Sequence, residues 1–384
     1  MPLLQEAPTP KAPAPASPSG APELAIIIPT LNERDNVAPL IGLIEQALPG
    51  VAWEAIFVDD DSTDGTRDAV FALAARDARV RCVQRIGRRG LASACIEGAL
   101  ASSASFIAVI DADLQHDERL LPEMLAILKR EPLDIVVGSR HVSGGGFGAM
   151  GERRRRISNF ATRLSRTILR ADVSDPMSGF FMMRRSAFDR SVRRLSGIGF
   201  KILIDLFASS PEPLRYRELP YEFRARRHGE SKLDALVVWE YLMLMGDKLV
   251  GHIVPIRFIS FAAVGGIGLL VQLAALAILR SAVGMDFKAA QALAIVVAMV
   301  GNFLLNNVLT YRDLRLTGWR WLGGLLSFCL VCSAGAVANW GAATLLFESF
   351  ALPSWLASTA GALVGAVWNY AMSGVATWRK RVKA

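Results

Sequence analysis

Four cysteines in 384 residues are too few to staple a fold. Cys329 and Cys332 have CxxC spacing, but they lie inside an apolar run with no further ligand nearby. Together with Cys82 and Cys95 they read as inert small apolar residues. Residues 1–23 lack an apolar core of signal-peptide type. They are rich in Pro and Ala, have little to bury, and read as a disordered tail that stays on the cytoplasmic side. The formal charge is +8, yet the basic residues lack the interleaved aromatics that single-stranded nucleic acid uses for stacking. No nucleic-acid partner is expected. The basic residues gather in Arg153–Arg156, at Arg224, Arg226 and Arg227, and beside long apolar segments. Anionic lipid headgroups and phosphate-bearing substrates account for that distribution. Charge itself becomes scarce from about residue 256 onward.

Between residues 24 and 231 the chain alternates short apolar runs with amphipathic stretches. Leu24–Pro29, Ala55–Val58, Val80–Gln84, Phe106–Ile110, Ile135–Val137 and Phe181–Met183 read as strands, with helices over about Asn32–Leu48 and Leu91–Ser102. Strands alternating with helices predict an α/β, mostly parallel, doubly wound sheet. Such sheets bind ligands beyond the carboxyl ends of their strands. Two acidic clusters fall at such ends: Asp59-Asp60-Asp61 after the second run and Asp111-Ala112-Asp113-Leu114-Gln115 after the fourth. Asp111 and Asp113 are one residue apart and can converge on one point, where two carboxylates call for a cation between them. Hard oxygen ligands suit Mg²⁺ or Mn²⁺ with phosphate oxygens completing the shell. Taken alone, the motif fits a solvated acidic turn equally well. A Gly-rich stretch, Ser143–Gly151, reads as a mobile loop, followed by a basic helix from about Glu152 to Arg170.

Residues 232–255 are amphipathic and read either as interface helices lying on a bilayer or as a closing helix of the α/β domain. Residues 256–384 contain four apolar segments, near 258–279, 289–309, 323–347 and 354–376, each long enough to span a ~30 Å hydrocarbon core. Arg312, Arg315 and Arg320 lie between the second and third; Arg379, Lys380, Arg381 and Lys383 follow the fourth; Glu348–Pro353 has no basic residue. The positive-inside rule then predicts a multi-pass membrane protein with both termini and the α/β domain in the cytoplasm. Asn302, Asn306 and Asn307 need partners in hydrocarbon, so they are expected to face the bundle interior, as interhelical hydrogen bonds or along a lipid or sugar path.

Five motifs occur in order on one α/β pattern: Pro29-Thr30-Leu31-Asn32-Glu33, Val58–Thr66, Asp111–Gln115, Gly138-Ser139-Arg140 and Asp175–Phe180. The set resembles family 2 glycosyltransferases of the GT-A fold, in the dolichol- or polyprenyl-phosphate mannose synthase branch. Arg226–Leu233 is similar to the same branch, and the four-span region, with Asn302–Asn306, resembles GtrA-like membrane domains. The resemblance implies roles for these residues. Pro29, Leu31, Glu33, Val58, Asp60, Asp111 and Ala112 would line the nucleotide-sugar pocket, with Arg226 and Lys232 near the donor phosphates. Asp111, Asp113 and Gln115 would hold Mg²⁺ or Mn²⁺; Arg140, Arg154 and Ser158 would hold the acceptor phosphate; Asp175 and Ser178 would lie beside the sugar. Asp113, Arg140, Arg154 and Asp175 would carry the catalysis. Leu31 departs from the pattern, since many relatives carry an aromatic there. Part of the Arg153–Arg156 run also fits a membrane-surface patch.

The implied reaction is inverting transfer of a hexosyl group, mannose from GDP-mannose in the first instance, to a polyprenyl (dolichyl-type) monophosphate. The implied partners are the nucleotide-sugar, the lipid phosphate, the bilayer and a possible second copy of the chain. A UDP-sugar donor such as UDP-glucose is the alternative within the class. A processive polysaccharide synthase would call for a Gln-x-x-Arg-Trp element before the spans, and none is found. A flippase for lipid-linked sugars with a regulatory soluble domain is the alternative from a different class.

Overall fold

The computed structural model describes residues 21–146, 169, 171–197, 199, 201–224, 239, 243–247, 254–350 and 352–378. The chain divides into two compact units, Met1–Lys232 and Leu233–Ala384.

The first unit is built on one seven-stranded sheet. Its strands are β1 (Leu24–Thr30), β2 (Trp53–Asp59), β3 (Val80–Gln84), β4 (Phe106–Val109), β5 (Ile135–Ser139), β6 (Phe181–Arg184) and β7 (Tyr216–Pro220). The spatial order is β3-β2-β1-β4-β6-β5-β7. All pairings are parallel except the two that β6 makes, where Phe181 faces Val109 of β4 and Val137 of β5. The expected strands are present, with β2 and β5 running one or two residues further into the acidic cluster and the Gly-Ser-Arg motif.

Both faces of the sheet are covered, which explains why its strands read as continuous apolar runs rather than alternating ones. On one face, Leu24, Ile26, Ile28, Phe57 and Ala108 pack with Val37, Leu40 and Ile44 of α1 (Arg34–Ala47) and with Leu121, Met124 and Leu128 of α4 (Leu121–Arg130). The other face carries α3 (Leu91–Leu100), α5 (Arg185–Ser191) and α6 (Ile202–Ser209); Cys95, Ile96, Phe188, Ile202 and Leu206 line a small apolar gap there with Ile107, Val109 and Phe181. Gly98 lets α3 lie directly on β1 and β2: a Cβ there would sit 2.5 Å from Ile27 Cγ2 and 2.8 Å from Val58 Cγ2. A shorter helix, α2 (Thr66–Ala74), follows the acidic loop after β2.

The second unit is helical: α7 (Ile256–Ser281), α8 (Phe287–Leu305), α9 (Trp319–Glu348) and α10 (Ser354–Met372). Among the described residues, three helices, Ile256–Ser281, Phe287–Thr310 and Trp319–Glu348, are long and apolar enough to cross a membrane. The fourth expected span corresponds to α10, whose sequence is more polar, with Thr359 and Asn369 among its apolar residues. Leu269, Leu270, Leu326, Leu330 and Leu363 are exposed on the helices, as membrane-facing positions require. The unit is that of a membrane protein. Most of the amphipathic stretch 232–255 and the basic helix expected over 152–170 lie outside the described residues.

Candidate active site

One edge of the sheet collects the chemistry. β1, β2, β4, β5 and β7 end there, and β6, running the other way, begins there. The loops that follow Thr30, Asp59, Val109 and Ser139, and the loop that precedes Phe181, therefore meet at one place. Among the described residues, three non-glycine residues adopt positive φ, Asn32 (55°), Asp61 (61°) and Leu114 (61°), and each lies in one of these loops. Left-handed backbone costs a non-glycine residue about 1–2 kcal/mol. Its confinement to this edge marks loops held in place by their surroundings.

Hydrogen bonds stitch the first two loops together. Asn32 N–H donates to Ser62 Oγ (2.8 Å), Thr63 N–H to Asn32 Oδ1 (3.0 Å) and Glu33 N–H to Thr66 Oγ1 (2.8 Å). Asp59 accepts from the Ser62 N–H and hydroxyl. Asp60 is buried against Arg85, whose Nη1 lies 2.5 Å from its Oδ1, and Gly90 N–H donates to its Oδ2 at 2.7 Å. Burial raises the Asp60 pKa from the usual carboxylate value, against the pull of Gly90 and Arg85 in the other direction. Asp60 thus fixes Arg85 and the loop before α3. Pro29 and Leu31 are half-buried beside it, and Val58 is buried in β2.

The Asp111–Gln115 turn is held from two sides. Asp113 is buried, and its Oδ1 accepts the Gln115 N–H at 3.2 Å, an Asx-type turn. Gln115 Nε2 donates to Arg224 O (2.9 Å), while Arg224 N–H returns a bond to Gln115 O (3.0 Å) and its guanidinium pairs with Asp117 and Glu118. Asp111 keeps 32% of its side chain exposed. Gly179 passes so close to it that a Cβ at 179 would lie 2.9 Å from Asp111 Oδ2. Behind Asp111 sits His116, buried and stacked on Phe180 (5.3 Å, 12°) with Tyr221 and Phe223 at its edges. Its pKa is pushed down to about 4, chiefly by burial, so the ring is neutral at physiological pH. Asp111 N–H donates to His116 Nδ1 at 3.2 Å, which places the proton on Nε2, 3.7 Å from Asp111 Oδ2.

Arg140 and Asp175, 35 residues apart, form one unit. Asp175 Oδ2 accepts from Arg140 N (3.1 Å) and Nε (2.7 Å), and Oδ1 accepts from Nη2 (2.8 Å). Asp175 is fully buried and Arg140 retains 9% of its side-chain exposure. Burial alone would raise the Asp175 pKa; hydrogen bonds and charge from Arg140 hold it below the ordinary carboxylate range instead. Glu218 of β7 accepts from the Ser174 and Asp175 N–H groups, fixing the loop from the far side. Ser178 is buried, with its hydroxyl donating to Gly138 O (2.7 Å) and accepting from Phe180 N–H (3.1 Å). Lys201 Nζ donates to Met177 O (2.8 Å).

The sequence profile described as "Glycosyl transferase family 2" matches residues 25–191, from β1 through the Arg140–Asp175 unit to the end of α5. A second, "GtrA/DPMS, transmembrane domain", matches residues 260–378. A dolichol-phosphate mannosyltransferase of Pyrococcus furiosus is 33% identical over 319 residues, covering 83% of this chain and 88% of that one. The chain belongs to glycosyl transferase family 2. A dolichol-phosphate mannosyltransferase of Saccharomyces cerevisiae is 34% identical over 237 residues, 59% of this chain and 87% of that one. Among solved structures, glucosyl-3-phosphoglycerate synthase of Mycobacterium tuberculosis with Mn²⁺, UDP and glucosyl-3-phosphoglycerate is 19% identical, covers 61% of this chain and 81% of that one, and has a TM-score of 0.45.

The glycosyltransferase unit brings Leu31, Glu33, Asp60, Asp111, Asp113, Gln115, Arg140, Asp175 and Ser178 to a single sheet edge. Arg154, Ser158, Arg226 and Lys232 lie outside the described residues. Asp175 and Ser178, expected beside the sugar, have their side chains turned inward: one grips Arg140, the other closes the turn before β6. Three residues of this edge have no place in the sequence reading: His116, Lys201 and Arg85. Arg224, read there only as one of the basic residues, holds the Asp111–Gln115 turn. The His in Asp111-Ala112-Asp113-Leu114-Gln115-His116 was adjacent to a recognised motif, which is the signal that could have found it.

Proposed function

We propose that this glycosyltransferase transfers mannose from GDP-mannose to a dolichyl-type polyprenyl monophosphate, with inversion, at the cytoplasmic face of the membrane. The observation that carries the reading is the meeting of the Asp111–Gln115 turn with the Arg140–Asp175 unit at one sheet edge, in a chain that also bears a membrane unit. The dolichol-phosphate mannosyltransferases it resembles supply the substrate class.

The donor set suits Mg²⁺ or Mn²⁺. Among the described residues no three His, Cys, Asp or Glu side chains form a metal cluster of their own. Asp111, Asp113 and Gln115 share the 111–115 turn, and Gln115 directs its NH₂ at Arg224 O, leaving its oxygen as the end suited to a cation. A magnesium site of this kind uses one or two carboxylates and takes its remaining ligands from water and substrate phosphates. Asp111, Asp113 and Gln115 would hold the metal, which when bound supplies Lewis-acid stabilisation to a leaving diphosphate.

The rest falls to the chain. A lipid monophosphate is largely dianionic at neutral pH, its second pKa being about 6, so its oxygen can attack the anomeric carbon without a strong general base. The protein's tasks are orientation and charge compensation. Asp175 fixes the guanidinium of Arg140 as a rigid fork beside Phe223, whose ring lies 5.4 Å from it, and a planar fork suits a phosphate acceptor. Attack in line with the departing diphosphate converts an α-linked donor into a β-linked product. Arg154, Ser158, Arg226 and Lys232 complete the acceptor and donor phosphate sites in this reading. Both termini lie in the cytoplasm, as the basic loops require.

The test is a donor screen on the purified chain with a short polyprenyl phosphate and Mn²⁺, reading the lipid product by mass spectrometry. Mannosyl-phosphoryl-polyprenol formed from GDP-mannose is the expected product. Product from UDP-glucose alone would overturn the donor assignment, and absence of any glycosylated lipid would overturn the reaction.

A further inference from the structure

The membrane unit contains its own pattern twice. At an offset of 67 residues, Ser260, Phe261, Val264 and Gly268 of α7 recur as Ser327, Phe328, Val331 and Gly335 of α9; Asn302, Thr310 and Arg312 recur as Asn369, Thr377 and Arg379. The same offset relates the elements. α7 ends at Ser281 and α9 at Glu348. α8 and α10 are both 19 residues long, Phe287–Leu305 and Ser354–Met372, and each runs into a five-residue π-helical turn, Asn306–Thr310 and Ser373–Thr377. π-helical turns are rare, so two in one register are a strong sign of common construction.

The side-chain contacts repeat as well. Ser260 Oγ meets Thr310 Oγ1 at 2.8 Å, and Ser327 Oγ meets Thr377 Oγ1 at 3.2 Å. A Cβ on Gly268 would collide with the amide of Asn302, and a Cβ on Gly335 with the amide of Asn369. Among the described residues, four of the five buried polar atoms in these helices without a protein partner correspond, Asn302 Oδ1 with Asn369 Oδ1 and Asn306 Oδ1 with Ser373 Oγ; the fifth is Gln291 Oε1.

Between the two hairpins the contacts are reciprocal. Phe303 of the first packs on Phe328 of the second, 5.8 Å between centroids; their counterparts, Tyr370 and Phe261, pack at 5.9 Å. Tyr311 and Trp378 occupy equivalent positions and stack on each other, 4.2 Å apart and 4° from parallel. Residue i touching j while j's counterpart touches i's is the mark of an isologous two-fold interface, and a residue that touches its own counterpart lies on the axis. Each hairpin contributes two helices, so both copies run in the same sense and the axis follows the helices, as in transporters built of parallel repeats.

We infer that the membrane unit is a fused dimer of one helical hairpin, whose seam surface is self-complementary: the partner it fits is a second copy of itself. At one position the copies differ in hydrogen bonding across the seam. Asn307 accepts from Trp378 Nε1 and is paired with Leu316, whereas its counterpart is Gly374. This amide gives the two copies distinct places.

Two measurements on the full chain test the inference. In a background with all four cysteines replaced, Phe303→Cys with Phe328→Cys and Tyr370→Cys with Phe261→Cys should both be bridged within one chain by a short bifunctional thiol reagent, in comparable yield. Bridging of one pair without the other would overturn the two-fold seam. In a second chain, residues 323–378 are replaced by a copy of 256–311. It should insert in membranes, run as a single species of wild-type size in detergent, and melt no lower than Trp378→Tyr combined with Gly374→Asn. Aggregation of this chain while both bridges form in the parent would show two similar hairpins that are not interchangeable, and self-complementarity would be refuted.

Discussion

Asp175 in the catalytic unit and Asn307 in the membrane unit are both buried polar side chains that each engage in three hydrogen bonds. Asp175 is ionised and its partner is a cation. Asn307 is neutral and binds a backbone amide, a backbone carbonyl and an indole. The difference follows the surroundings. At the sheet edge, a buried ion pair sits within reach of water and of the phosphate charges that the reaction brings, so the desolvation cost is partly offset. Between helices facing hydrocarbon an ion has no such compensation, and small residues and amides do the joining.

The largest expected effect tests the charged side of that contrast. Asp111→Asn or Asp113→Asn should lower transfer by about 10²–10³-fold, the loss typical of removing one charge-stabilising group, with unchanged thermal unfolding. Calorimetric titration with Mn²⁺ should lose its heat in the same variants, and EDTA should silence the wild type. Full activity in EDTA would remove the metal from the reading.

Next comes the ion pair. Arg140→Ala strands a buried carboxylate and should cost about 3–5 kcal/mol of stability together with activity. Adding Asp175→Asn should return part of the stability and none of the activity, which separates the fold role of the pair from its chemical one. The folded Asp175 pKa is depressed, so its contribution is present above the unfolded carboxylate pKa and is lost as pH falls through the folded value. Urea denaturation should therefore show less acid sensitivity below about pH 4 in the double variant than in the wild type.

The neutral counterpart should respond less. Asn307→Ala leaves the Trp378 indole N–H and the Leu316 N–H without partners, a loss of about 1–3 kcal/mol by detergent melting. Activity per folded molecule should hold. The smallest effect is reserved for His116→Phe, which keeps the ring stack on Phe180 but removes the nitrogen facing Asp111. Mn²⁺ affinity should weaken about tenfold, in line with outer ligand-orienting groups in other metal sites, while unfolding changes little. Unchanged Mn²⁺ affinity would make His116 a packing residue only.

Much of the catalytic unit was legible because strands buried on both faces leave dense apolar runs, and because acidic residues at strand ends announce themselves. β7 was not, since Tyr216–Pro220 carries Arg217 and Glu218 and lies at the sheet border, where polar side chains are tolerated. The Arg140–Asp175 pairing was hidden by sequence distance: it depends on β6 running against its neighbours, and a strand's direction leaves no mark in its composition. Asn302, Asn306 and Asn307 were expected to turn inward, and Asn306 and Asn307 are buried as expected. The duplication was written in the sequence at a fixed offset, but as scattered small and polar residues within apolar segments of low complexity, where resemblance is easily discounted.

β6 is registered against two strands at once, with Phe181 opposite both Val109 and Val137. A slip of β6 by two residues would keep its side chains on the correct faces but carry Asp175 about 7 Å along the sheet, beyond reach of Arg140. Catalytic competence therefore doubles as a readout of assembly: a misregistered chain has strands, hydrophobic core and acidic turn, yet stays silent until β6 sits in its register.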